Sequence, residues 1–81
     1  MAGSRTIKRY PNRKLYDTHR SRYVTLDDIA QLVRGGEQVR VVDNVSQDDL
    51  TIATLAQIIF EEQRRAPTLA EDLLLGIIRG P

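Results

Sequence analysis

The stretch Arg5-Thr-Ile-Lys-Arg-Tyr-Pro-Asn-Arg-Lys-Leu-Tyr-Asp-Thr-His-Arg-Ser-Arg-Tyr23 decides how this 81-residue chain is read. It holds seven of the twelve Lys and Arg residues, all three tyrosines and a single acid, Asp17. Residues 1–23 carry seven bases against one acid, and residues 24–81 carry five against ten, so the net charge of +1 conceals a polarised molecule. Dense positive charge interleaved with aromatic rings suits a polyanion binder, because phosphates need cations and bases can stack on rings. A disordered arm, a membrane-surface patch or a solvated face can have the same composition. Folding signals argue against a disordered arm. Thr6 to Tyr10 suits a strand, and Tyr-Pro-Asn-Arg a turn in which Pro11 supplies its fixed φ. Leu15-Tyr16-Asp17 and Arg22-Tyr23-Val24 read as short strands around the loop Thr18 to Ser21. The stretch is therefore expected to be a basic β-ribbon.

Outward from it, Thr25 is placed to cap a helix whose first turn holds Asp27 and Asp28, and Leu26, Ile29, Ala30 and Val33 follow at helical spacing. Gly35 and Gly36 stop that helix. Gln38 to Asp43, with Val39, Val41 and Val42, reads as a strand, followed by a polar turn over 44–48. Either Ser46 with Asp49, or Thr51, can cap a helix running from Ile52 to about Gln63. Its expected apolar face is Ile52, Leu55, Ala56 and Ile59, widened by Ile58 and Phe60. Pro67 breaks the chain and Thr68 can recap a last helix over Leu69 to Ile78. That helix is apolar nearly all round and is expected to be buried on most sides, against a second subunit, further chain or the monomer core. The fold class expected is α+β: a small single domain with a basic N-terminal β-ribbon, a helix, a second short strand pair and two C-terminal helices. Its divisions are a flexible start over 1–5, a binding domain over 6–65 and an apolar oligomerisation helix over 66–81.

Composition narrows the function classes. There is no cysteine, hence no disulfide or thiol chemistry, which fits a reducing cytoplasm. The N-terminus has no apolar signal region, and no apolar run reaches the ~18 residues of a membrane span. A soluble, intracellular module without cofactor or metal is expected. The single histidine, His19, lies in a predicted loop, and no His, Cys or carboxylate cluster has metal-ligand spacing. No nucleophile, base and orienting group can be assembled, so the chain does not read as an enzyme. Arg9-Tyr-Pro-Asn-Arg13 has the Arg-x-x-x-Arg spacing of a cyclic-dinucleotide motif in PilZ domains, weakly echoed by Asn44-Val-Ser46. The glycine expected after that echo is replaced by Asp49.

At Lys8-Arg-Tyr-Pro-Asn-Arg-Lys-Leu-Tyr-Asp17, continued by Ser21-Arg-Tyr-Val-Thr-Leu-Asp-Asp-Ile29, the chain resembles the N-terminal DNA-binding domain of the polyhydroxyalkanoate (PHB) accumulation regulators. Val41-Val-Asp43, Asp49-Leu-Thr51 and Ile58-Ile-Phe-Glu-Glu62 match that pattern too, so the resemblance spans residues 6–65. It implies a bacterial, cytoplasmic transcriptional repressor on the promoters of granule-associated genes, found with the nucleoid or the granule. It also implies release on association with the storage polymer, and a further C-terminal region to which polymer binding would belong.

The DNA-contact candidates are Lys8, Arg9, Asn12, Arg13, Lys14, Arg20 and Arg22. A two-stranded ribbon fits the B-DNA major groove. Alternation puts Lys8 and Tyr10 on one face and Ile7 and Arg9 on the other. Arg13 and Asn12, at the turn, suit base edges, as Arg pairs with guanine and Asn with adenine. Lys14, Arg20 and Arg22 suit phosphates, which position without reading sequence. Tyr10 and Tyr16 are placed to contact DNA or to pair across the ribbon. Tyr23 leads into Val24 and Leu26 and is expected to anchor the hairpin to the first helix. Leu73, Leu74, Ile77 and Ile78 are the expected dimer interface, and double-stranded DNA and a second copy are the expected partners. The alternatives from other classes are a protein-interaction module docking through the last helix, and a cyclic-dinucleotide receptor using Arg9 and Arg13.

Overall fold

The computed structural model describes residues 4–80. Its elements are, in order, β1 (Arg5–Arg9), β2 (Leu15–Asp17), β3 (Arg22–Val24), α1 (Leu26–Arg34), β4 (Val39–Asp43), α2 (Thr51–Arg65) and α3 (Glu71–Arg79). The chain has the expected α+β class. Of the flexible start expected over residues 1–5, residues 1–3 lie outside the described region, and Arg5 already opens β1.

The four strands form one sheet in the order β3-β2-β1-β4. The β1–β2 and β2–β3 pairs are antiparallel, and β4 adds to β1 in parallel. The segment expected as a second strand pair is this single strand, plus one bridge between Val42 and Asp49. β1 is thus an interior strand, flanked on both sides, and the hairpin is not a free two-stranded ribbon. Four strands at ~4.8 Å spacing are wider than the ~12 Å major groove, so the sheet cannot enter it edge to edge as the isolated ribbon was expected to.

Register fixes the two faces. Ile7 is paired with Asp17 and Val41, and Leu15 with Arg9 and Val24. Ile7, Leu15, Val24 and Val41 are buried together with Ile29 and Ala30 of α1 and Ile58 of α2, which form the second layer. A one-residue slip would reverse the faces, so this apolar set locks the register. Ion pairs between Arg34 and Glu62 and between Arg65 and Asp27 clasp α1 to α2. Both are exposed, and such pairs contribute about 0–1 kcal/mol each.

Local chemistry explains the helix ends. The Asp28 N–H donates to Thr25 Oγ1 at 3.1 Å and the Thr25 N–H donates to Asp28 Oδ2 at 2.9 Å, a reciprocal capping box. The Thr25 N–H is the main reason the Asp28 carboxyl lies below its ordinary value. Thr25→Ala is expected to lower stability by about 1 kcal/mol in a urea melt, with an unchanged slope. At the other end of α1, Gly36 takes φ 92°, and the Glu37 N–H reaches Leu32 O at 3.0 Å to close the helix.

Two expectations for α2 are corrected. Neither Ser46 nor Thr51 caps it; Leu50 is the N-cap residue and makes no side-chain bond. Thr51 is instead buried, its Oγ1 accepting the Val41 N–H at 2.9 Å, while the Thr51 N–H donates to Asp49 Oδ1 at 2.8 Å. This return also satisfies the outer edge of β4, through Leu50 N–H to Val41 O and Asp43 N–H to Asp48 O. The inward face is consequently Thr51, Thr54, Leu55 and Ile58, whereas Ile52 (84% exposed), Ile59 and Phe60 face outward. Two threonines inside and three large apolar residues outside defeat a reading by hydrophobic spacing alone.

The last helix differs as well. Thr68 does not cap it; the Gln63 side chain accepts the N–H groups of Thr68 and Leu69 and donates to Thr68 Oγ1, pinning the turn before α3. α3 has no buried residue, and Ile78 is 81% exposed, so it is not part of the monomer core.

Candidate nucleic-acid interface

The face of the sheet turned away from α1 and α2 carries Thr6 and Lys8 of β1, Tyr16 of β2, Tyr23 of β3, and Arg40 and Val42 of β4. No carboxylate is among them, because Asp17 and Asp43 fall on the opposite parity of their strands. No helix covers this face among the described residues. The register aligns Val42, Lys8, Tyr16 and Tyr23 in one row across all four strands. Tyr10, at the end of β1, completes an aromatic cluster, with ring centroids 6.4 Å from Tyr16 and from Tyr23, and 5.3 Å between Tyr16 and Tyr23. Lys14 Nζ sits over the Tyr23 ring at 5.4 Å from its centroid.

Tyr23 is therefore corrected. It is 57% exposed and points away from the helices, and Val24, one residue on, does the anchoring. Arg40 is an outward cation that the sequence reading passed over, held by Asp49 at 3.0 Å. Once Val39 and Val41 are inward, alternation assigns Arg40 outward, but only the non-local pairing with β1 shows which face that is.

The turn between β1 and β2 projects Asn12, Arg13 and Lys14 from the ends of the two central strands, to one side of the row. The Arg13 N–H donates to Tyr10 O and the Tyr10 N–H to Lys14 O, both at 2.9 Å, with Pro11 in the second position. Arg13 closes the turn at φ 68°, a left-handed conformation that glycine would adopt without strain and that costs another residue about 1 kcal/mol or more. Asn12 Oδ1 accepts the Lys14 N–H at 3.0 Å, so its oxygen is committed to the turn and its amide NH2 remains for a partner.

The other candidates lie elsewhere. Arg9 shares the inner parity with Ile7 and faces Asp43 across the β1–β4 ladder. The Asp43 carboxyl is held below the usual range by the Ser46 N–H first, then the Val45 N–H, with the Arg9 charge adding to both. Arg20 and Arg22 lie at the β2–β3 loop end, on the α1 side, where their charges act on Asp28. The structure brings Lys8, Asn12, Arg13, Lys14, Tyr10 and Tyr16 to one region and sets Arg9, Arg20 and Arg22 apart from it. No group of three or more His, Cys, Asp or Glu residues able to hold a metal occurs among the described residues.

Beneath the loop of Arg20 lies an unforeseen support. Asp17, the lone acid of the basic stretch, is 0% exposed. Its Oδ1 accepts the N–H groups of His19 at 2.9 Å and Arg20 at 3.3 Å. Its Oδ2 lies 3.6 Å from Arg5 Nη1, an ionic contact too long to be a hydrogen bond, and Arg5 Nη2 reaches Glu37 at 3.0 Å.

A family model described as PHB/PHA accumulation regulator DNA-binding domain matches residues 6–66. The chain belongs to that family. It is a family of DNA-binding regulator domains, not of enzymes, so the open basic face belongs to a DNA-binding domain. An uncharacterized protein from Allochromatium vinosum is 45% identical over 80 residues, covering 98% of this chain and 52% of the relative. A protein from Thiocystis violacea, described as an uncharacterized protein in the phbA 5' region, is 44% identical over 80 residues, covering 98% of this chain and 58% of the relative. The chain spans about half the length of the curated relatives it matches. No solved structure gives a significant match. No helix among the described residues is long and apolar enough to cross a membrane.

Proposed function

We infer that this domain binds double-stranded DNA sequence-specifically, as the reading head of a cytoplasmic transcriptional repressor of polyhydroxyalkanoate storage genes. The family match over residues 6–66, which hold the sheet, α1 and α2, carries the reading. The outer face, whose strands carry no carboxylate and whose β4 edge holds Asp49 paired with Arg40, and the cationic turn give it a surface. The phbA 5' region in the description of the Thiocystis relative fits a regulator encoded beside the genes it controls. Arg13 is the base-reading residue, with the free amide of Asn12 beside it. Lys8 and Lys14 neutralise phosphates, and Arg20 and Arg22 lie where a bent or longer duplex would reach them. A homodimer through Leu73, Leu74, Ile77 and Ile78 of α3 would present two turns to a two-fold related site. Association with the storage polymer or its granule belongs to parts of the relatives that this chain does not span. The cyclic-dinucleotide reading is disfavoured by Asp43, whose carboxylate faces Arg9 where an anion would have to sit.

Anisotropy titration of a promoter duplex across salt concentrations tests the reading. With about four phosphate contacts per subunit, a dimer gives a log–log slope of about −7. Arg13→Ala is expected to lose about 1–3 kcal/mol on the cognate site and relax preference, while Lys14→Ala weakens all duplexes alike. A slope near zero removes the DNA reading, and identical behaviour of the two variants removes the division of labour.

A further inference from the structure

Phosphate contact to a duplex requires the cations of the outer face but gives no role to its aromatic cluster, since paired bases are already stacked on one another. The chain's three tyrosines nevertheless all stand on that face, and no element among the described residues covers them. None of the three ring pairs is stacked face on face; their interplanar angles are 64–84°. Tyr23 is the most open of them, and the Lys14 ammonium lies over its ring, so ring face and cation stand side by side. Lys8 precedes Tyr16 and Tyr23 in the same row, and Lys14 reaches the row from the turn. Stacking rings set between cations on an open four-stranded sheet are the arrangement that takes up unpaired bases, whose faces are free and whose phosphates lie alongside.

We propose that the outer face of the sheet binds single-stranded nucleic acid, with Tyr16 and Tyr23 stacking bases and Lys8 and Lys14 holding the flanking phosphates. Lys14 leaves the ring of Tyr23 for a phosphate when a base takes its place. The proposal rests on the DNA-binding reading for its two lysines and departs from it in the tyrosines. Duplex binding uses the turn and the cations, whereas single-strand binding adds the rings. Melted promoter DNA and a transcript leader present the same chemistry, and only the 2′-hydroxyl separates them.

The test uses the whole chain with labelled oligonucleotides of about twelve nucleotides: a single-stranded DNA, the RNA of the same sequence, and the duplex. With no tryptophan in the chain, intrinsic emission reports on the tyrosines of this face. Both single strands are expected to bind and to quench that emission; equal affinities assign recognition to bases and phosphates, and an RNA preference adds the 2′-hydroxyl. Tyr16→Leu combined with Tyr23→Leu is expected to lower single-strand affinity about tenfold or more and duplex affinity by far less. Phe at both positions preserves single-strand binding, and a folded Phe pair without it overturns the stacking role. Duplex binding with no single-strand binding, or single-strand binding without quenching, overturns this inference and leaves the duplex reading standing. Single-strand binding without duplex binding upholds the inference and removes the duplex reading, and loss of both in the folded parent removes both.

Discussion

Replacing Asp17 by alanine is expected to cost about 3–5 kcal/mol of folding stability. Stabilities of native domains are about 5–15 kcal/mol, and a domain this small sits toward the low end. The cause is local and specific. Asp17 lies on the buried side of β2, facing Ile7, with its carboxylate between the loop N–H groups of His19 and Arg20 and the guanidinium of Arg5. Alanine leaves two part-buried loop donors without their acceptor and a nearly buried cation held only by Glu37. Asp17→Asn separates the contributions: its oxygen still serves the loop while the charge is lost, so the loss is smaller than for alanine. Urea melts of the three proteins decide it. An alanine variant with the parent's midpoint would show that Arg5 and the loop find other partners.

The Asp17 result bears on how much the sequence could reveal. What depends on near neighbours was readable. The capping box needs only Thr25 and Asp28, three residues apart, and the hairpin over Leu15–Val24 needs only a short loop between β-formers. What depends on distant partners was not. In a stretch rich in Arg and Lys, Asp17 is the single acid and nothing beside it in sequence marks it for burial; its burial follows from the register that pairs it with Ile7. The face of Tyr23 turned on the same point. Tyr23 and Val24 are both plausible anchors, and only the pairing of Leu15 with Val24 settles that valine goes in and tyrosine out. The parallel addition of β4 to β1 spans the whole of β2, β3 and α1, and no local pattern announces it. It placed Arg40 beside the candidate interface and turned a supposed free ribbon into the middle of a sheet. In α2 the physics ran against periodicity: Thr51 and Thr54 went inward because the backbone near them needed partners, with Thr51 Oγ1 accepting from Val41 and Thr54 Oγ1 donating to Leu50 O at 2.7 Å. The outward apolar residues this leaves, Ile52, Ile59 and Phe60, stay exposed, with the Arg64 guanidinium 5.8 Å from the centroid of the Phe60 ring, in keeping with the exposed α3.

Substituting Leu74 and Ile78 together by aspartate is expected to turn a dimer into a monomer and to lower affinity for a two-fold promoter site by about 100-fold or more. The exposed row of Leu73 and Ile77, four residues apart, lies beside the row of Leu74 and Ile78, so an opposing helix can pack against both. Large contiguous apolar surface in water usually marks an interaction site. Aspartate in such an interface is a buried charge without a partner, at a cost of several kcal/mol. Because α3 stands clear of the monomer core, the same substitutions leave the fold intact, and circular dichroism of the variant matches the parent. Affinity is expected to fall because the proposed dimer would engage two half-sites as a unit, the second turn binding at the effective concentration set by the first. Sedimentation and anisotropy on the same samples separate the steps. A variant that sediments as a monomer yet keeps parental affinity breaks the link between dimerisation and DNA binding. A parent chain that stays monomeric at high concentration removes the α3 interface, and with it the two-fold placement of the Arg13 turns.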